Sequence, residues 1–524
     1  MPSTASFHTG AAERSLFGAL LDAREARGEG AVILNDMERQ PLTFGRLVLA
    51  SLVLGRALTR ISRRGEAVGV MLPNANGLAV TFFALHAYVR VPAMINYTAG
   101  AETILAGCAA AGIKTILTSR RFIAKAKLEP TAERLAARLS LLYLEDIRQR
   151  ITTLDKALGW LAARVARRMP GATASPREPA VILFTSGSEG VPKGVALSHA
   201  NILANCAQVA SVVDFSPDDR LLNTLPVFHC FGITGGLLLP VFAGVPTFQY
   251  PNPLHYKAIA DLVRELKATI LFGTDTFLTG YARAAAPEDF ASLRYVFAGA
   301  ERVREETHRV FRDKYGLRIF EGYGTTETAP VLAVNTPAHY RPGTVGPLLP
   351  GIECRLEPMA GARVGARLQV KGPNVMLGYL KADKPGVVQP PPDGWHDTGD
   401  IVEIDADGFV HICGRARRFA KIGGEMVSLA AVEGHVAEVW PEASHAVASI
   451  PDLRKGEQLV LVTTQADADR TALLAHAHVK DLPELTIPRT ILVVDEIPIL
   501  GTGKTDYPGV QKLVAARMGS AVPR

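Results

Sequence analysis

A run of glycines and hydroxyl side chains follows the apolar sequence VILF near the middle of the chain. It reads Thr185-Ser186-Gly187-Ser188-Glu189-Gly190-Val191-Pro192-Lys193-Gly194. Glycines let a backbone approach an anion closely, and hydroxyl and N–H groups can cradle phosphate oxygens. The order of residues is not that of a Walker A loop. The run therefore predicts a phosphate-binding loop, with a plain Ser/Gly surface turn as the alternative.

A second motif could bind a flat base and a metal ion. It reads Glu321-Gly322-Tyr323-Gly324-Thr325-Thr326-Glu327-Thr328. The glycines on either side of Tyr323 leave a ring face free for stacking. Glu327 supplies a carboxylate, a ligand that Mg²⁺ accepts beside substrate phosphates. The alternative is a helix start that is capped by threonine.

Three further motifs lie closer to the C-terminus. Asp400 ends the sequence WHDTGD and could accept hydrogen bonds from ribose hydroxyls. Arg415 begins a cation-rich run, which continues through Arg417, Arg418 and Lys421 to Gly423-Gly424. Lys504 stands on a glycine-rich loop, where a lysine could neutralise a carboxylate and a phosphate in one transition state. A turn, a solvated basic face and an exposed lysine are the respective alternatives.

One histidine lies in an apolar stretch. His229 is part of VFHCFGITGGLLLPVFAG, residues 227–244, which has no charged side chain. This composition suits an aliphatic tunnel better than a pocket for a polar amino acid. A lone histidine in such a place is more often a core residue than a catalyst.

The elements that position these motifs alternate between helical and strand-like patterns up to about residue 340. Apolar runs such as 67–73, 114–119, 180–184, 268–277 and 293–301 predict buried strands of parallel-type sheets covered by helices. Shorter strands with Gly and Pro turns then predict a β-rich subdomain. The predicted fold class is α/β, with a domain of residues 1–414 and a small mobile α+β domain of residues 415–524.

Residues 145–170 stand apart because apolar side chains recur there at helical spacing beside many cations. The stripe consists of Ile147, Ile151, Leu154, Leu158, Leu161, Val165 and Met169. One interpretation is a helix that packs its stripe on the protein's own core, which is commonplace. The other is an interfacial helix that lies on anionic lipid.

Composition narrows the function classes. The net charge of +6 is spread over 524 residues, so nucleic-acid binding is not predicted. The five cysteines form no C-x-x-C pair, which argues against zinc and redox motifs and favours a reducing compartment. We expect no secretory signal and no membrane-spanning segment. The predicted location is the cytoplasm, with peripheral contact at the inner face of the membrane as the corollary of an interfacial helix.

In this order and spacing the motifs resemble the adenylate-forming superfamily of acyl-CoA synthetases, nonribosomal adenylation domains and luciferases, over nearly the whole chain. The segments LFTSGSEGVPKGVALSHANILAN, EGYGTTETAPVLAVNTP and PILGTGKTDY resemble most the synthetase half of the bifunctional acyl-acyl carrier protein synthetase/2-acylglycerophosphoethanolamine acyltransferase family. The resemblance implies an enzyme that uses ATP and Mg²⁺.

The resemblance also implies roles for single residues. The loop 185–193 would hold the β- and γ-phosphates, and Ala298, Gly299 and Ala300 would line the adenine pocket. Tyr323 would stack on the base, Thr326 would touch the α-phosphate and Glu327 would hold Mg²⁺. Asp400 would bind the ribose, with Arg415 close by, and Lys504 would bridge the carboxylate and the α-phosphate. The remaining implied roles are a hinge at Arg417, a thiol-facing surface at Lys421, Gly423 and Gly424, and a place beside the acyl channel for His229.

The predicted reaction is activation of a medium- or long-chain fatty acid as acyl-AMP, followed by transfer to the phosphopantetheine thiol of acyl carrier protein. The cations of residues 415–421 favour that acidic partner. One alternative is a fatty-acid ligase that uses coenzyme A. An alternative of another class is a non-catalytic lipid- or nucleotide-binding, membrane-associated relative, against which the retained Lys193, Glu327 and Lys504 argue.

Overall fold

The computed structural model describes residues 9–186, 192–358, 365–416, 418–422, 425–452, 456–480, 482–500 and 504–518. The chain divides into two compact units. The first comprises Met1–Tyr340, Leu348–Ile352 and Lys371–His396, and the second comprises Arg341–Pro347, Glu353–Val370 and Asp397–Arg524.

The strands are numbered in chain order. They are β1 Val32–Asp36, β2 Leu42–Thr43, β3 Ala67–Val70, β4 Val91–Met94, β5 Thr115–Thr118, β6 Ser140–Tyr143, β7 Pro179–Ser186, β8 Pro192–Ser198, β9 Leu221–Asn223, β10 Thr247–Gln249, β11 Ile270–Gly273, β12 Tyr295–Ala298, β13 Ile319–Gly324, β14 Val331–Val334, β15 Glu353–Pro358, β16 Ala366–Lys371, β17 Gly378–Leu380, β18 Val388–Gln389, β19 His396–Ile404, β20 Val410–Arg415, β21 Phe419–Ile422, β22 Glu425–Ser428, β23 His445–Asp452, β24 Gly456–Thr463 and β25 Thr490–Val493.

The α-helices are numbered in the same way. They are α1 Leu16–Arg27, α2 Phe44–Leu58, α3 Asn76–Ala87, α4 Ala101–Ala110, α5 Arg120–Ala126, α6 Glu129–Ala136, α7 Leu144–Gln149, α8 Thr153–Arg164, α9 His199–Val212, α10 Leu239–Ala243, α11 Tyr256–Leu266, α12 Asp275–Ala284, α13 Glu305–Tyr315, α14 Leu429–Val439, α15 Arg470–Val479 and α16 Tyr507–Met518. Several begin at a side-chain cap that accepts a hydrogen bond from the first turn, namely at Ser15, Thr43, Ser119, Thr152, Ser198, Thr274 and Ser428.

Two eight-stranded sheets form the first unit. One has the order β14-β13-β12-β11-β9-β10-β1-β2, and its six central strands run parallel. The other has the order β18-β17-β8-β7-β4-β3-β5-β6, with parallel pairing from β7 to β6. The central strands are buried on both faces, as in β11 and β12, which explains their continuous apolar sequences.

The second unit holds two smaller sheets. The strands β15, β16, β19 and β20 form a four-stranded sheet. The strands β21–β25 form a five-stranded sheet, in which β25 pairs in parallel with β24. Its two faces are covered by α14 with α15 and by α16, respectively. The predicted α/β class with a β-rich subdomain is confirmed, whereas the division at residues 414 and 415 stays a prediction.

The segment 145–170 differs from the single helix that the spacing predicted. It forms α7 and α8, because Thr152 and Asp155 make a capping box that starts a new helix. Gly159 turns toward α2, where a Cβ atom would lie 2.4 Å from a methyl carbon of Val53. The interpretation in which the whole stripe packs on the core is wrong for α8, since Leu154 and Leu161 are exposed.

Asp155 secures this arrangement from within. Its side chain is buried and receives hydrogen bonds from Arg60, at 2.5 Å, and Arg56, at 3.1 Å, both on or next to the end of α2. The hydrogen bond from Arg60 holds the pKa of Asp155 well below its ordinary range. The core-facing side of α8 is therefore polar and small, and its large apolar side chains point elsewhere. Among the helices of the described residues, none is both long and apolar enough to cross a bilayer.

Candidate active site

The phosphate-loop motif begins and ends in a β-hairpin. Strands β7 and β8 run antiparallel, and Thr185 lies opposite Lys193 in the register. Both residues are partly buried. Gly187, Ser188 and Gly190 lie outside the described residues, as does the side chain of Ser186. The described polar side chains of the motif are therefore the hydroxyl of Thr185 and the ammonium of Lys193, which flank the predicted loop.

The base-binding motif occupies the end of β13 and the turn after it. Only glycine fits at position 324, since a Cβ atom there would lie 1.8 Å from the carbonyl oxygen of Pro330. Thr325 follows, and the N–H of Thr325 donates to that same carbonyl at 3.0 Å. Thr326 then opens the 3-10 turn Thr326–Thr328, so the helix-start alternative describes the local backbone correctly. The turn presents Thr326 and Glu327 partly exposed, directly after the strand that carries Tyr323.

Glu327 is held from outside its own motif. The hydroxyl of Tyr379, on β17, donates to a carboxylate oxygen of Glu327 at 2.8 Å. The N–H of Met376 donates to the backbone carbonyl of Glu327, also at 2.8 Å. The ammonium of Lys193 lies 5.3 Å from the centre of the Tyr379 ring, within reach of a cation–π contact. Tyr379 thus brings the predicted metal ligand and the phosphate-loop lysine together, a role that no sequence pattern indicated.

The predicted adenine wall lies at the end of β12. Ala298 is buried and pairs with Glu321 in the register of β13, so the two motifs are neighbours in the sheet. A Cβ atom at Gly299 would lie 3.1 Å from the ring of Phe231, which stands behind this turn. Ala300 has φ +72°, a left-handed conformation that is uncommon for a residue with a side chain. Such strain persists where the surroundings impose it, as at a ligand-binding turn.

Buried carboxylates support this wall. Glu321 is 8% exposed and accepts hydrogen bonds from His308 Nε2 at 3.1 Å and from the N–H of Val303 at 3.3 Å. Asp275, at the start of α12, accepts from Arg304 Nε at 2.6 Å and from the hydroxyl of Thr307 at 2.7 Å. Glu321 thus anchors the segment that follows the wall, and its part in cofactor binding stays a prediction.

His229 lies at the entrance to an unusual helix. The segment Phe231–Leu238 is a π-helix, a rare form that is frequent at functional sites. The side chain of Gln249 donates to the carbonyl of Gly236 at 2.8 Å, which satisfies one of its buried acceptors. Cys230 contacts the carbonyl oxygen of Thr326 at 3.8 Å. The uncharged segment that contains His229 therefore packs directly against the Thr326 turn.

Asp400 and Arg415 belong to the second unit, where they form an ion pair. Arg415 Nε donates to Asp400 Oδ1 at 3.0 Å, and the two residues are paired in the register of β19 and β20. Asp400 is 3% exposed, whereas its partner is mostly exposed. An anchored carboxylate of this kind fits the predicted contact with ribose, and the guanidinium beside it offers further donors.

The cation-rich run is less accessible than its sequence indicated. Arg418 is mostly shielded from solvent in a bidentate pair with Glu433, at 2.8 and 3.1 Å, and its guanidinium covers the ring of Tyr507 at 3.5 Å. The interpretation that this cation faces a partner protein is wrong for Arg418. Lys421 is exposed, and its N–H donates to Glu457 at 2.6 Å. Arg417, Gly423 and Gly424 lie outside the described residues.

Lys504 belongs to the second unit and lies next to Thr505, which forms a β-bridge with Ile499. The N–H of Leu500 donates to the carbonyl of Lys504 at 2.7 Å, so the two sides of this glycine-rich loop are tied together. Lys504 is partly buried at the base of the loop. The predicted role of its ammonium group in the chemical step stays a prediction.

The first unit therefore suits a nucleotide and a magnesium ion in the chemistry of its donors. Tyr379 binds one oxygen of the Glu327 carboxylate, and a carboxylate with a second oxygen is a ligand of the kind Mg²⁺ prefers. Thr185, Lys193 and Thr326 add hydroxyl and ammonium groups for phosphate oxygens, and Tyr323 follows the buried wall that ends at Ala298.

Comparison with known proteins identifies the family. The AMP-binding enzyme family matches residues 21–380. An anthranilate–CoA ligase of Pseudomonas aeruginosa is 30% identical over 486 residues, which cover 88% of this chain and 90% of that protein. A sulfoacetate–CoA ligase of Cupriavidus necator is 28% identical over 506 residues, covering 93% and 95%.

Solved structures agree on the fold. The ATP-bound structure of MatB from Rhodopseudomonas palustris has a TM-score of 0.80 at 25% identity and covers 95% of this chain and 98% of that one. An anthranilate CoA ligase in complex with anthranoyl-AMP has the same TM-score at 20% identity, covering 97% and 98%, and this likeness concerns the fold alone. The chain belongs to the AMP-binding enzyme family, the acyl-CoA synthetase-like group of adenylate-forming ligases, whose cofactors are ATP and Mg²⁺.

Proposed function

We propose that the protein activates a medium- or long-chain fatty acid as acyl-AMP and transfers the acyl group to the phosphopantetheine thiol of acyl carrier protein. The observation that carries the choice of acid is the π-helix segment beside the Thr326 turn. Residues 225–244 have no charged side chain, and nearly all of them are buried or partly buried. An aliphatic chain beside this segment would leave no polar group unpaired, whereas the charged groups of an amino acid or a dicarboxylate would find no charged partner in it.

The proposed first step joins the acid to AMP. A carboxylate oxygen of the fatty acid attacks the α-phosphorus of ATP, and the bond from that phosphorus to the bridging oxygen breaks, so pyrophosphate leaves with the bonding electron pair. The product is a mixed anhydride, in which AMP is the leaving group of the next step. Catalysis rests on alignment and on charge neutralisation, for which Lys504, Lys193 and the hydroxyl of Thr326 are the proposed groups.

The metal ion supplies positive charge beside the β- and γ-phosphates when it is bound. Glu327 is its proposed protein ligand, and Tyr379 holds that carboxylate in place through the hydrogen bond of 2.8 Å. Tyr323 and the turn at Ala298–Ala300 are proposed to hold the base, while Asp400 is proposed to bind the ribose hydroxyls.

In the proposed second step a thiolate attacks the acyl carbon and AMP leaves as a phosphate anion. Acyl carrier protein is favoured by the resemblance of the motifs and by exposed cations in the second unit, of which Lys421 is one. Coenzyme A is the competing acceptor, and this candidate is supported by the similar proteins of Pseudomonas aeruginosa and Cupriavidus necator, which are named as CoA ligases.

Pyrophosphate exchange tests the first step, and product analysis tests the second. ATP–pyrophosphate exchange should require a fatty acid, and aromatic acids, amino acids and sulfoacetate should not replace it. Acyl transfer is then measured separately with acyl carrier protein and with coenzyme A. Product on coenzyme A alone would refute the proposed acceptor, and exchange with aromatic acids but not fatty acids would refute the proposed acid.

A charge reversal separates docking from chemistry. Lys421→Glu should weaken acyl transfer to carrier protein while fatty-acid-dependent exchange continues. Lys512→Glu is the matched control, because Lys512 is also exposed in the second unit but lies on α16. Equal transfer rates for the two variants would count against a carrier-protein surface at Lys421.

We also propose that α8 rests on an anionic lipid surface. Its exposed side chains include three large apolar ones, with Leu154 64%, Trp160 50% and Leu161 53% exposed, and Val165, directly after the helix, is 42% exposed. Residues 150–168 contain five cations, Arg150, Lys156, Arg164, Arg167 and Arg168, and a single acid, the buried Asp155. Arg167 is paired with Asp22 and Glu25 of α1, so the other four are the cations proposed to face lipid. An exposed apolar ridge with cations around it is the composition of a helix at a lipid headgroup boundary.

Co-sedimentation with vesicles tests this contact. The protein should pellet with vesicles that contain phosphatidylglycerol, and less so as salt rises, because the cations contribute through charge. The double variant Leu154→Ser/Leu161→Ser should lose most of this binding. Val479→Ser is the matched control, since Val479 is 82% exposed on α15. Binding that both variants retain in full would exclude α8 as the contact.

A further inference from the structure

A cluster of potential metal ligands lies on two helices of the second unit, at residues that no predicted nucleotide motif includes. His435 and Glu438 occupy neighbouring turns of α14, and His476 lies on α15. One ligand atom from each of the three residues lies within 4.8 Å of the others. His476 Nε2 is 3.1 Å from Glu438 Oε2. Two imidazoles and a carboxylate thus converge between two helices of the second unit.

The packing of the helices fixes this convergence. Val432 and Val436 of α14 lie in the same apolar cluster as Leu473 and Ala477 of α15, so the two helices cover one face of the five-stranded sheet together. His435 and Glu438 are three residues apart on α14 and therefore project from the same side of that helix. The ligand atoms meet at the rim of the cluster, where both histidines are partly buried and Glu438 is exposed to solvent.

We propose that His435, Glu438 and His476 bind one divalent transition-metal ion of the zinc class. Zinc accepts two histidines and a glutamate at about 2.0–2.2 Å, which places tetrahedral ligands about 3.4 Å from one another. The separation of 3.1 Å between His476 and Glu438 is close to that value, and the ligand atoms of all three residues lie within 4.8 Å of one another, so small side-chain adjustments would complete the geometry. Imidazole ligands select zinc, cobalt, nickel or copper over magnesium, so this site is chemically distinct from that of Glu327.

Lys480 is the competitor in this cluster. Its ammonium lies 3.0 Å from the same Glu438 oxygen that faces His476, and the lysine side chain is 53% exposed. An ion pair at this exposure contributes little, so a metal ion can displace the ammonium. The bound ion would tie α14 to α15 and leave at least one coordination position to water.

Metal titration of the full-length, untagged protein without ATP tests the site. Co²⁺ is the probe, because its visible absorption reports coordination, with Zn²⁺ added in competition. We expect one equivalent to bind, with loss of at least about 100-fold in affinity for His435→Ala and for His476→Ala, as removal of a ligand exceeds the loss on removing an outer-shell partner. His478→Ala is the matched control, since His478 is exposed on α15 and is not part of the cluster.

Two further variants keep the test decisive if an alanine variant folds poorly. Glu438→Gln retains shape and should abolish the rise in unfolding temperature that Zn²⁺ gives to the wild-type protein. Lys480→Ala should bind Co²⁺ more tightly than the wild type, whereas an ordinary ion-pair cluster would gain no affinity. Absence of Co²⁺ binding, or binding that the changes at His435 and His476 leave intact, would overturn the proposal.

Discussion

The hydroxyl group of Tyr379 is the most direct test of how the proposed site is held together. It donates to Glu327 at 2.8 Å, while the ring contacts Lys193. Tyr379→Phe removes this hydrogen bond and keeps the ring. A hydrogen bond to a charged group contributes about 1.5–3 kcal/mol. Both side chains are partly exposed, so we expect the lower end of that range, which corresponds to about a tenfold change in rate or affinity.

The assay is fatty-acid-dependent ATP–pyrophosphate exchange over a series of Mg²⁺ concentrations. Because Tyr379 is proposed to position the metal ligand, Tyr379→Phe should raise the Mg²⁺ concentration needed for half-maximal exchange by about tenfold, and excess Mg²⁺ should restore much of the rate. Tyr315→Phe is the matched control, since Tyr315 donates to the carbonyls of Ala282 and Ala285 within the same unit.

The result that would refute this reasoning is a Tyr379→Phe enzyme with the same rate and the same Mg²⁺ dependence as the wild type. A lower rate with an unchanged Mg²⁺ dependence would also contradict it, because the defect would then lie outside metal binding. Isothermal titration with Mg²⁺–ATP gives an independent measurement, in which the variant should bind more weakly and the Tyr315 control should not.

Three other predictions concern single side chains. Gly324→Ala should destabilise the first unit by about 1–3 kcal/mol or more and abolish ATP–pyrophosphate exchange, because a Cβ atom has no space beside Pro330. Gly77→Ala is the control and should leave exchange intact, since the space at its Cβ position is open. Arg418→Ala should lower the free energy of unfolding of the second unit by about 1.5–3 kcal/mol, since it removes the charged hydrogen bonds to Glu433 and leaves those from Val447 and Tyr507. Lys421→Ala should change it little, and equal denaturant midpoints for the two variants would contradict a stabilising pair. Burial lowers the pKa of His199 to about 4, so its contribution to the free energy of unfolding is complete above pH 6.5. That contribution is lost as pH falls from 6.5 towards 4, by about 3 kcal/mol in all. Urea midpoints plotted against pH for wild type and His199→Gln should therefore converge at low pH, and parallel plots would contradict this.

Many strands of the first unit could be predicted from the sequence because buried parallel strands have continuous apolar sequences. The runs at 67–73, 268–277 and 293–301 contain β3, β11 and β12. Gly299 follows β12 and Gly324 ends β13, and both belong to motifs that the sequence singled out; a Cβ atom would lie 3.1 Å from the Phe231 ring at the first position and 1.8 Å from the Pro330 carbonyl oxygen at the second. Such local motifs can be recognised in the sequence because the strand, the turn and the glycine are neighbours in the chain.

Contacts between distant segments could not be predicted, and two residues show why. Tyr379 lies 52 residues beyond Glu327 in an apolar stretch, and nothing in that stretch indicates a hydroxyl aimed at a carboxylate. Arg418 stands among exposed cations in the sequence, but the fold places Glu433 and Tyr507 around it. In both cases the partner is chosen by tertiary packing, so charge and spacing along the chain carry no signal of it.

The helix α8 shows a limit of a different kind, because periodicity gives the direction of an apolar stripe but does not say which side of the helix docks. The absence of a side chain at Gly159 lets α8 approach α2 closely, and two arginines pair with Asp155 on the same face. Close packing through a small residue and a buried ion pair can thus outweigh the burial of Leu154 and Leu161. The large apolar side chains are then left outward, and the proposed lipid contact of α8 rests on that outward ridge.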